Sequence, residues 1–242
     1  MKTFIIAEAA CTWLHGGLEA AYRSIRAAKD CGADAWKTQW TSDPVAMHKR
    51  RGIEGDHYKR LAWPKEWLEV LKGKCDEVGI EFMVTCYLQQ DIPTITPLVK
   101  RFKVSAFESQ DAGFIAKHMA PPWKHDELII SLNPGKAVPM HLDAPSCVKK
   151  LHCISLYPTQ LEQLFLRDAL LLDGLSDHTT SVLAGAVAVG AGATILEKHV
   201  KLSDTPTDDP DYGHSLVLDD ALGDAPWFGD YVANVREAEK ML

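Results

Sequence analysis

Several features that would indicate particular classes of protein are missing from this sequence. No apolar run reaches the length of a membrane-spanning helix. A short apolar run near the N-terminus is interrupted by acidic Glu8, which argues against a signal peptide. The six cysteines lie far apart and form no CxxC pair, which argues against a disulfide framework or a zinc ribbon. We therefore expect a cytoplasmic protein with reduced thiols.

Basic stretches and nucleotide-binding motifs are also scarce. The net charge is -7, and beyond HKRR at 48–51 the chain has no long basic cluster that would attract nucleic acid. It also has no GxGxxG or Walker sequence. We therefore predict no nucleic-acid or membrane partner and favour a small-molecule ligand.

Short apolar runs rich in β-forming residues recur along the 242 residues. They occupy residues 3–9, 34–40, 81–87, 101–106, 127–132, 150–157, 171–178 and 193–200. Most are separated by helical patterns that close on glycine, and strand–helix alternation implies parallel strands. Eight such repeats at this length favour a single-domain α/β protein, a (β/α)8 TIM barrel over 1–242, rather than an open doubly wound sheet.

The fifth repeat differs from the others. Residues 133–147, NPGKAVPMHLDAPSC, contain three prolines and a glycine where a helix would be expected. Proline in a helix interior removes a hydrogen bond and clashes with the preceding turn. We therefore expect an irregular fifth βα unit.

Polar side chains collect near the ends of the predicted strands, where TIM barrels carry their chemistry. Any one of them is easily explained as a hydrogen-bonded turn residue, but their joint occurrence on eight strands favours a functional rim. These residues are Glu8, Lys37, Gln39, Thr85, Lys103, Ser105, Glu108, Ser131, Asn133, Ser155, Tyr157, Ser176, Asp177, His178, Glu197, Lys198 and His199.

Two histidines on adjacent strands suggest a metal site. His178 and His199 can converge on one divalent ion, and imidazoles suit manganese, iron, cobalt or zinc better than calcium. The alternative is that both are ordinary histidines at the edge of the core.

Two lysines lie inside otherwise apolar strands. Burying Lys37 and Lys103 is unfavourable without a nearby anion, so we expect a phosphate or carboxylate ligand between them. The hydroxyls of Thr85, Ser131 and Ser176 are placed to donate hydrogen bonds to the same anion.

Four motifs resemble those of one known family, in the same order and at similar spacing. They are LHCISLYPT (151–159), GLSDHT (174–179), GATILEKHV (192–200) and PDYGHSL (210–216). The sequence is similar over most of its length to the barrel domain of the phosphoenolpyruvate-dependent sialic acid (N-acetylneuraminate) synthases. This resemblance implies that C3 of phosphoenolpyruvate attacks the metal-bound aldehyde of a sugar, that water adds at C2, and that phosphate leaves with C–O cleavage.

The resemblance also implies roles for individual residues. His178 and His199 correspond to metal ligands, with Mn²⁺ expected and Mg²⁺ or Co²⁺ as alternatives. Lys198 takes a structural role, because alternation puts it on the other face of its strand. The residues that correspond to phosphoenolpyruvate-binding positions are Lys37, Thr85, Lys103, Ser131, Ser155 and Ser176. The residues that correspond to catalytic positions of the family are Glu8, Tyr157 and Glu197. Those that correspond to positions near the acceptor are Glu108 and Asp211.

Several segments depart from the family pattern around the acceptor. TWLHGG replaces the family's NHNG, with His15 as a partial substitute, and KVSAFES and SLN replace the family's usual residues after the fourth and fifth strands. The antifreeze-like domain that follows the barrel in many members is not found in this sequence. We therefore expect an acceptor pocket that is more open, or is closed by another chain in a homodimer.

Three functions remain open at this point. A synthase that uses phosphoenolpyruvate and an aldehyde or aldose acceptor is the preferred one. A metal-dependent pyruvate aldolase or lyase is the second, favoured if the altered segments no longer hold phosphate. The third is a non-catalytic barrel subunit with exposed Trp13, Trp40, Trp63 or Trp227 at an interface, but the paired histidines and lysines argue against it.

Overall fold

Eight parallel strands close into a barrel in a computed structural model of the protein, which describes residues 2–52, 58–119, 126–134, 146–166 and 172–242. Each strand pairs with the next, and β1 also pairs with β8, which closes the barrel. The predicted (β/α)8 fold is therefore confirmed. The strands are β1 (Phe4–Ala10), β2 (Ala35–Gln39), β3 (Glu81–Thr85), β4 (Arg101–Val104), β5 (Glu127–Leu132), β6 (Val148–Cys153), β7 (Gly174–Asp177) and β8 (Ile195–Lys201).

Helices follow most strands and cover the outside of the barrel. The helical patterns that close on glycine correspond to the helices Gly17–Asp30, Trp67–Val78 and Ala184–Gly190. The second of these is capped by Gly79, whose φ of 74° is the left-handed conformation that glycine adopts readily. A short strand, β9 (Leu216–Val217), pairs in parallel with the end of β8 at Val200 and Lys201. The helices are α1 (Gly17–Asp30), α2 (Pro44–Arg51), α3 (Trp67–Val78), α4 (Ile92–Ile95), α5 (Ala112–Met119), α6 (Ala184–Gly190) and α7 (Phe228–Lys240).

The interior of the barrel has an apolar floor below a polar layer. The floor is formed by Ile6, Ala35, Met83, Ile129, Leu151 and Ile195. Because side chains alternate between the two faces of a strand, the next inward residue after Ala35 is Lys37, and the next after Ile195 is Glu197. The same alternation sends Trp36 and Leu196 outward, into the larger core between strands and helices. Charged groups therefore lie on a dry apolar base at the carboxyl ends of the strands.

Three of the four tryptophans proposed as an exposed interface are instead part of the core. Trp13, Trp40 and Trp63 are all buried. Their rings pack together, with centroids 5.5 Å apart for Trp13 and Trp63 and 6.4 Å apart for Trp40 and Trp63. Trp227 is partly buried and donates its indole hydrogen to the Leu218 carbonyl. The exposure that the third alternative assumed for Trp13, Trp40 and Trp63 is therefore wrong, because these large apolar rings fill space between the strands and the helices.

Two other expectations concern individual segments. Most of the irregular fifth unit, residues 135–145, lies outside the described residues. None of the helices in the described ranges combines the length and the apolar character needed to cross a bilayer.

Candidate active site

A cavity of about 460 Å³ opens at the carboxyl ends of the strands. Side chains from the strand ends and from the loops that follow them form its walls. The cavity brings together all the residues to which the family resemblance assigned a metal-binding, substrate-binding or catalytic role, except Glu108. Those that line it are Glu8, Lys37, Thr85, Lys103, Ser131, Ser155, Tyr157, Ser176, His178, Glu197, His199 and Asp211.

Glu197 lies inside the cavity, between the two lysines. Its Oε1 is 3.2 Å from Lys37 Nζ and its Oε2 is 3.2 Å from Lys103 Nζ. Ser176 donates a hydrogen bond of 2.6 Å to the same carboxylate. Burial raises the pKa of Glu197, but Lys103 and Lys37 outweigh that effect and hold the pKa below its ordinary value. Glu197 is therefore ionised.

The lysines have protein partners of their own. Lys37 pairs with Glu8 and Glu197 and donates a 2.8 Å hydrogen bond to Thr85 Oγ1. Lys103 donates one of 2.8 Å to Ser131. The burial of these ammonium groups therefore does not by itself require an external anion, because two carboxylates of the chain compensate them. Burial lowers the pKa of Lys37 to about 8.

The two predicted histidines do converge. The ring centroids of His178 and His199 are 5.3 Å apart. His178 donates Nδ1–H to the Ile154 carbonyl at 2.7 Å, which leaves a lone pair on Nε2. Burial lowers the pKa of His178 to about 4 and lowers the pKa of His199 well below its ordinary value. Both rings are therefore neutral near pH 7, the form of imidazole that binds metals.

A third histidine, which the sequence did not single out, joins this group. The ring of His214 lies 4.5 Å from that of His199. Asp211 Oδ1 is 3.3 Å from His214 Nε2 and 3.8 Å from His199 Nδ1. One donor atom from each of the three residues lies within 4.8 Å of the others. PDYGHSL is one of the four motifs that resemble the family, but the resemblance assigned a role only to Asp211 in it.

This donor set fits a divalent metal. Within the part of the chain that the structure describes, His199 Nδ1 and His214 Nε2 are buried and have no hydrogen-bond partner. Two buried imidazole nitrogens beside a carboxylate are ligand types that a divalent transition-metal ion binds. Burial raises the pKa of Asp211, but His214, His199 and Arg60 outweigh it and hold the pKa below its ordinary value, so the carboxylate is available as a ligand.

Two arginines at the cavity wall were also missed. Arg60 pairs with Asp211 and with Asp209, whose Oδ2 lies 3.0 Å away. Arg51 stacks over Tyr87 and Phe107, at 4.9 and 4.6 Å from the ring centroids. The sequence indicated only a basic cluster at 48–51, because nothing local shows which arginine turns toward the barrel.

Glu108 differs from its prediction as an acceptor-binding residue. It is fully buried and does not line the cavity. Its Oε2 accepts a hydrogen bond of 2.5 Å from Arg51 and another from Ser105. Because its carboxylate is occupied in this way, Glu108 holds Arg51 at the wall rather than facing an acceptor.

Lys198 and His15 both lie outside the cavity. Lys198 points to the opposite face of β8, as alternation predicted, where its Nζ is 2.9 Å from Asp177 Oδ2 in a fully buried pair. His15 Nδ1 is 2.8 Å from the Thr12 carbonyl, and its Nε2 is 3.4 Å from Asp204. The expectation that His15 partly replaces a family histidine was therefore wrong, because its loop turns it away.

Comparison with known proteins agrees with this architecture. The sequence profile of the NeuB family matches residues 24–242. The chain is 31% identical over 271 aligned positions to the pseudaminic acid synthase of Campylobacter jejuni, covering 100% of this chain and 75% of that protein. It is 30% identical over 275 positions to the N,N'-diacetyllegionaminic acid synthase of Legionella pneumophila, covering 100% and 74%.

A solved structure shares the fold. The N-acetylneuraminic acid (sialic acid) synthetase of Leptospira borgpetersenii superposes with a TM-score of 0.82 at 22% identity, covering 100% of this chain and 85% of that one. The sequence matches show a family relationship and not a shared fold alone, and they agree with the resemblance drawn from the four motifs. The chain belongs to the NeuB family.

Proposed function

We propose that this protein condenses phosphoenolpyruvate with the aldehyde of a sugar-like acceptor and releases phosphate, giving a 2-keto-3-deoxy acid. The observation that carries the proposal is a single cavity in which two buried lysines lie beside a cluster of neutral histidines. The named relatives, which synthesise pseudaminic and N,N'-diacetyllegionaminic acid, support the same class of reaction.

The proposed reaction forms one carbon–carbon bond and breaks one carbon–oxygen bond. C3 of phosphoenolpyruvate attacks the aldehyde carbon, whose oxygen takes up a proton. Water then adds at C2 and loses a proton, and the C2–O bond to phosphate breaks. Phosphoenolpyruvate, aldehyde and water thus give the keto acid and phosphate.

Lys37 and Lys103 are the proposed anion-binding groups. Each also contacts a hydroxyl, Thr85 or Ser131, that can turn to donate to a phosphate or carboxylate oxygen. The incoming anion takes over part of the contacts that the lysines now make to Glu8 and Glu197. Ser155 and Ser176 line the same cavity and complete the proposed donor set.

The ionised Glu197 is proposed to act as a base. A carboxylate held between Lys37 and Lys103 can orient the attacking water and accept its proton. Glu8 accepts a hydrogen bond of 2.7 Å from the Ala10 backbone, which fixes it beside Lys37. The ring of Tyr157, 4.3 Å from that of His178, is the part of the site nearest the acceptor in this proposal.

His178 and His199 are proposed to hold the divalent metal, with Mn²⁺ expected and Mg²⁺ or Co²⁺ as alternatives. When bound, the metal supplies Lewis-acid activation of the acceptor's aldehyde oxygen. The neutral rings and the lone pair left on His178 Nε2 support this role.

The test is phosphate release from phosphoenolpyruvate, followed by phosphorus NMR with added divalent metal and a panel of N-acetylated aldoses and simpler aldehydes. We expect release only when an acceptor is present, and a new keto acid by mass spectrometry. The variant Lys72→Met, on the outer surface of α3, is the control and should behave like the wild type.

A pyruvate aldolase or lyase is the second candidate, and one observation favours it. Glu8 and Glu197 already compensate the two lysines, and pyruvate carries less negative charge than phosphoenolpyruvate. Carbon–carbon bond formation from pyruvate, with no phosphate released for any acceptor, would establish this alternative and exclude the first.

The cytoplasmic location and the homodimer stay predictions. A partner chain that closed the acceptor side of the cavity would make activity depend on dimerisation. Light scattering across a dilution series, with activity measured at the same concentrations, tests this directly: constant activity in a monomeric sample would contradict it.

A further inference from the structure

His214 occupies a position that the proposed two-histidine metal site does not explain. We infer that His214 is a direct metal ligand together with His199 and Asp211. His178, whose ring centroid lies 5.3 Å from that of His199 and 6.3 Å from that of His214, supplies the third imidazole of the inferred site. Relative to a site with two imidazoles, a third imidazole shifts the metal preference toward Co²⁺, Zn²⁺ or Fe²⁺ and away from Mn²⁺ and Mg²⁺. The catalytic use of this metal rests on the proposed function, whereas the binding of the metal does not.

The donor atoms of Asp211, His199 and His214 lie close together. In a tetrahedral site with bonds near 2.1 Å, ligand atoms lie roughly 3.4 Å from one another. The separations from Asp211 Oδ1 to His214 Nε2 and to His199 Nδ1 are 3.3 and 3.8 Å. Two of the three separations are therefore close to the value for a shared ion, and the three residues offer donor atoms that all lie within 4.8 Å of one another.

His199 and His214 are both buried. The side chains of His199 and His214 are 8% and 2% exposed, and the nitrogen that each turns toward Asp211 has no hydrogen-bond partner among the described residues. A buried polar atom without a partner is costly. In the present geometry neither nitrogen makes a hydrogen bond to Asp211, whereas coordination of one metal ion satisfies both nitrogens at once.

Neighbouring side chains hold the segment that contains Asp211 and His214. Ser215 donates a hydrogen bond of 2.6 Å to the Asp211 carbonyl, and Lys201 donates one of 2.7 Å to the Tyr212 carbonyl. Arg60 pairs with the Asp211 carboxylate from the side. Contacts of this kind fix metal ligands in place and are typical of the groups that surround a metal site.

A structural role for His214 is the competing explanation. In that case its ring only orients Asp211, and the metal contacts two imidazoles. The two explanations differ in the number of coordinated nitrogens and in metal preference, and neither readout requires substrate.

The experiment measures Co²⁺ and Mn²⁺ binding by equilibrium dialysis for the wild type, His214→Gln, His199→Gln and His15→Gln. Removing a group that supports a metal ligand lowers affinity 10–100-fold, so losing a ligand should lower Co²⁺ affinity by at least about tenfold. We expect His214→Gln to lose more affinity for Co²⁺ than for Mn²⁺. His199→Gln should lose both, and His15→Gln, outside the cavity, neither.

Wild-type Co²⁺ affinity in His214→Gln, with binding lost in His199→Gln, would overturn the inference and leave the proposed function standing. Pulsed EPR of the wild-type protein loaded with Mn²⁺ provides a measurement that needs no variant. Three coupled imidazole nitrogens support the inference, and two overturn it. Inactivity toward every acceptor, combined with His214-dependent metal binding, would instead contradict only the proposed function.

Discussion

The two halves of the cavity differ in how their residues are held. Lys37, Thr85, Lys103, Ser131, Ser176 and Glu197 lie on the strands of the barrel, and we refer to them as the strand half. Arg51, Arg60, Asp211 and His214 come from a helix end and from loop segments, and we refer to them as the loop half. Hydrogen bonding between strands fixes the strand half, whereas side-chain contacts fix the loop half. The difference suggests that the strand half holds the common substrate and that the loop half sets metal and acceptor preference.

The largest effect is expected from the strand half. Lys103→Met removes one of the two ammonium groups proposed to bind the anion, and losing one such electrostatic contact costs about 10²–10³-fold. We expect kcat/KM for phosphate release to fall by that amount, with thermal unfolding used to confirm that the barrel is intact. A fall of less than about fivefold, relative to the surface variant Lys72→Met, would remove Lys103 from the anion site.

The next effect comes from the loop half. Arg60→Met leaves Asp211 without its partner, and loss of a group that orients a metal ligand lowers metal affinity about 10–100-fold. We expect this loss in equilibrium dialysis, together with little change in the KM for phosphoenolpyruvate at saturating metal. Arg23→Met, which removes an arginine–aspartate pair far from the cavity, is the matched control. Equal metal affinity in the two variants would contradict the assignment.

The pH dependence of kcat/KM tests the strand half without the removal of a side chain. Burial lowers the pKa of Lys37 to about 8, so the ammonium is present below that pH and is lost above it. We expect kcat/KM for phosphoenolpyruvate to be level below about pH 8 and to fall roughly tenfold per pH unit above it. Lys37→Arg should move the break to higher pH, because guanidinium stays charged. If the break in the pH profile of Lys37→Arg stays at the wild-type pH, the group that titrates near pH 8 is not Lys37.

The smallest effect is expected at the acceptor side. Arg51→Lys keeps the charge but loses the stacking on Tyr87 and Phe107 and the fork that binds Glu108. A stacking contact of this kind contributes about 1 kcal/mol, so we expect roughly a fivefold rise in the KM for the acceptor with kcat little changed. Arg101→Lys, beside Glu127 at the start of β4, should leave both constants unaltered.

The sequence was informative wherever periodicity decides a side chain's direction. Alternation along ILEKHV places Glu197 and His199 inside the barrel and Lys198 outside, and the structure agrees. The same rule, with apolar runs that repeat along the chain, predicted the barrel and the strand-borne residues of the site. Four ordered motifs predicted the family.

The loop half could not be predicted in the same way. Loops have no fixed period, so PDYGHSL did not indicate that His214 turns toward His199, and HKRR did not indicate that Arg51 turns toward Glu108. The sequence also suggested an external anion for the lysines, because it could not show that Glu8 pairs with Lys37 and that Glu197 lies between Lys37 and Lys103.

The sequence by itself therefore determined the barrel, its polar rim and the residues that strands direct inward, because these follow from local alternation and apolar pattern. Only the tertiary structure decided which charges neutralise one another and which loop residues join the histidines. Those contacts link positions far apart in the chain, such as Lys37 with Glu197 and Arg60 with Asp211, and their energies depend on distance and burial that exist only once the barrel has closed.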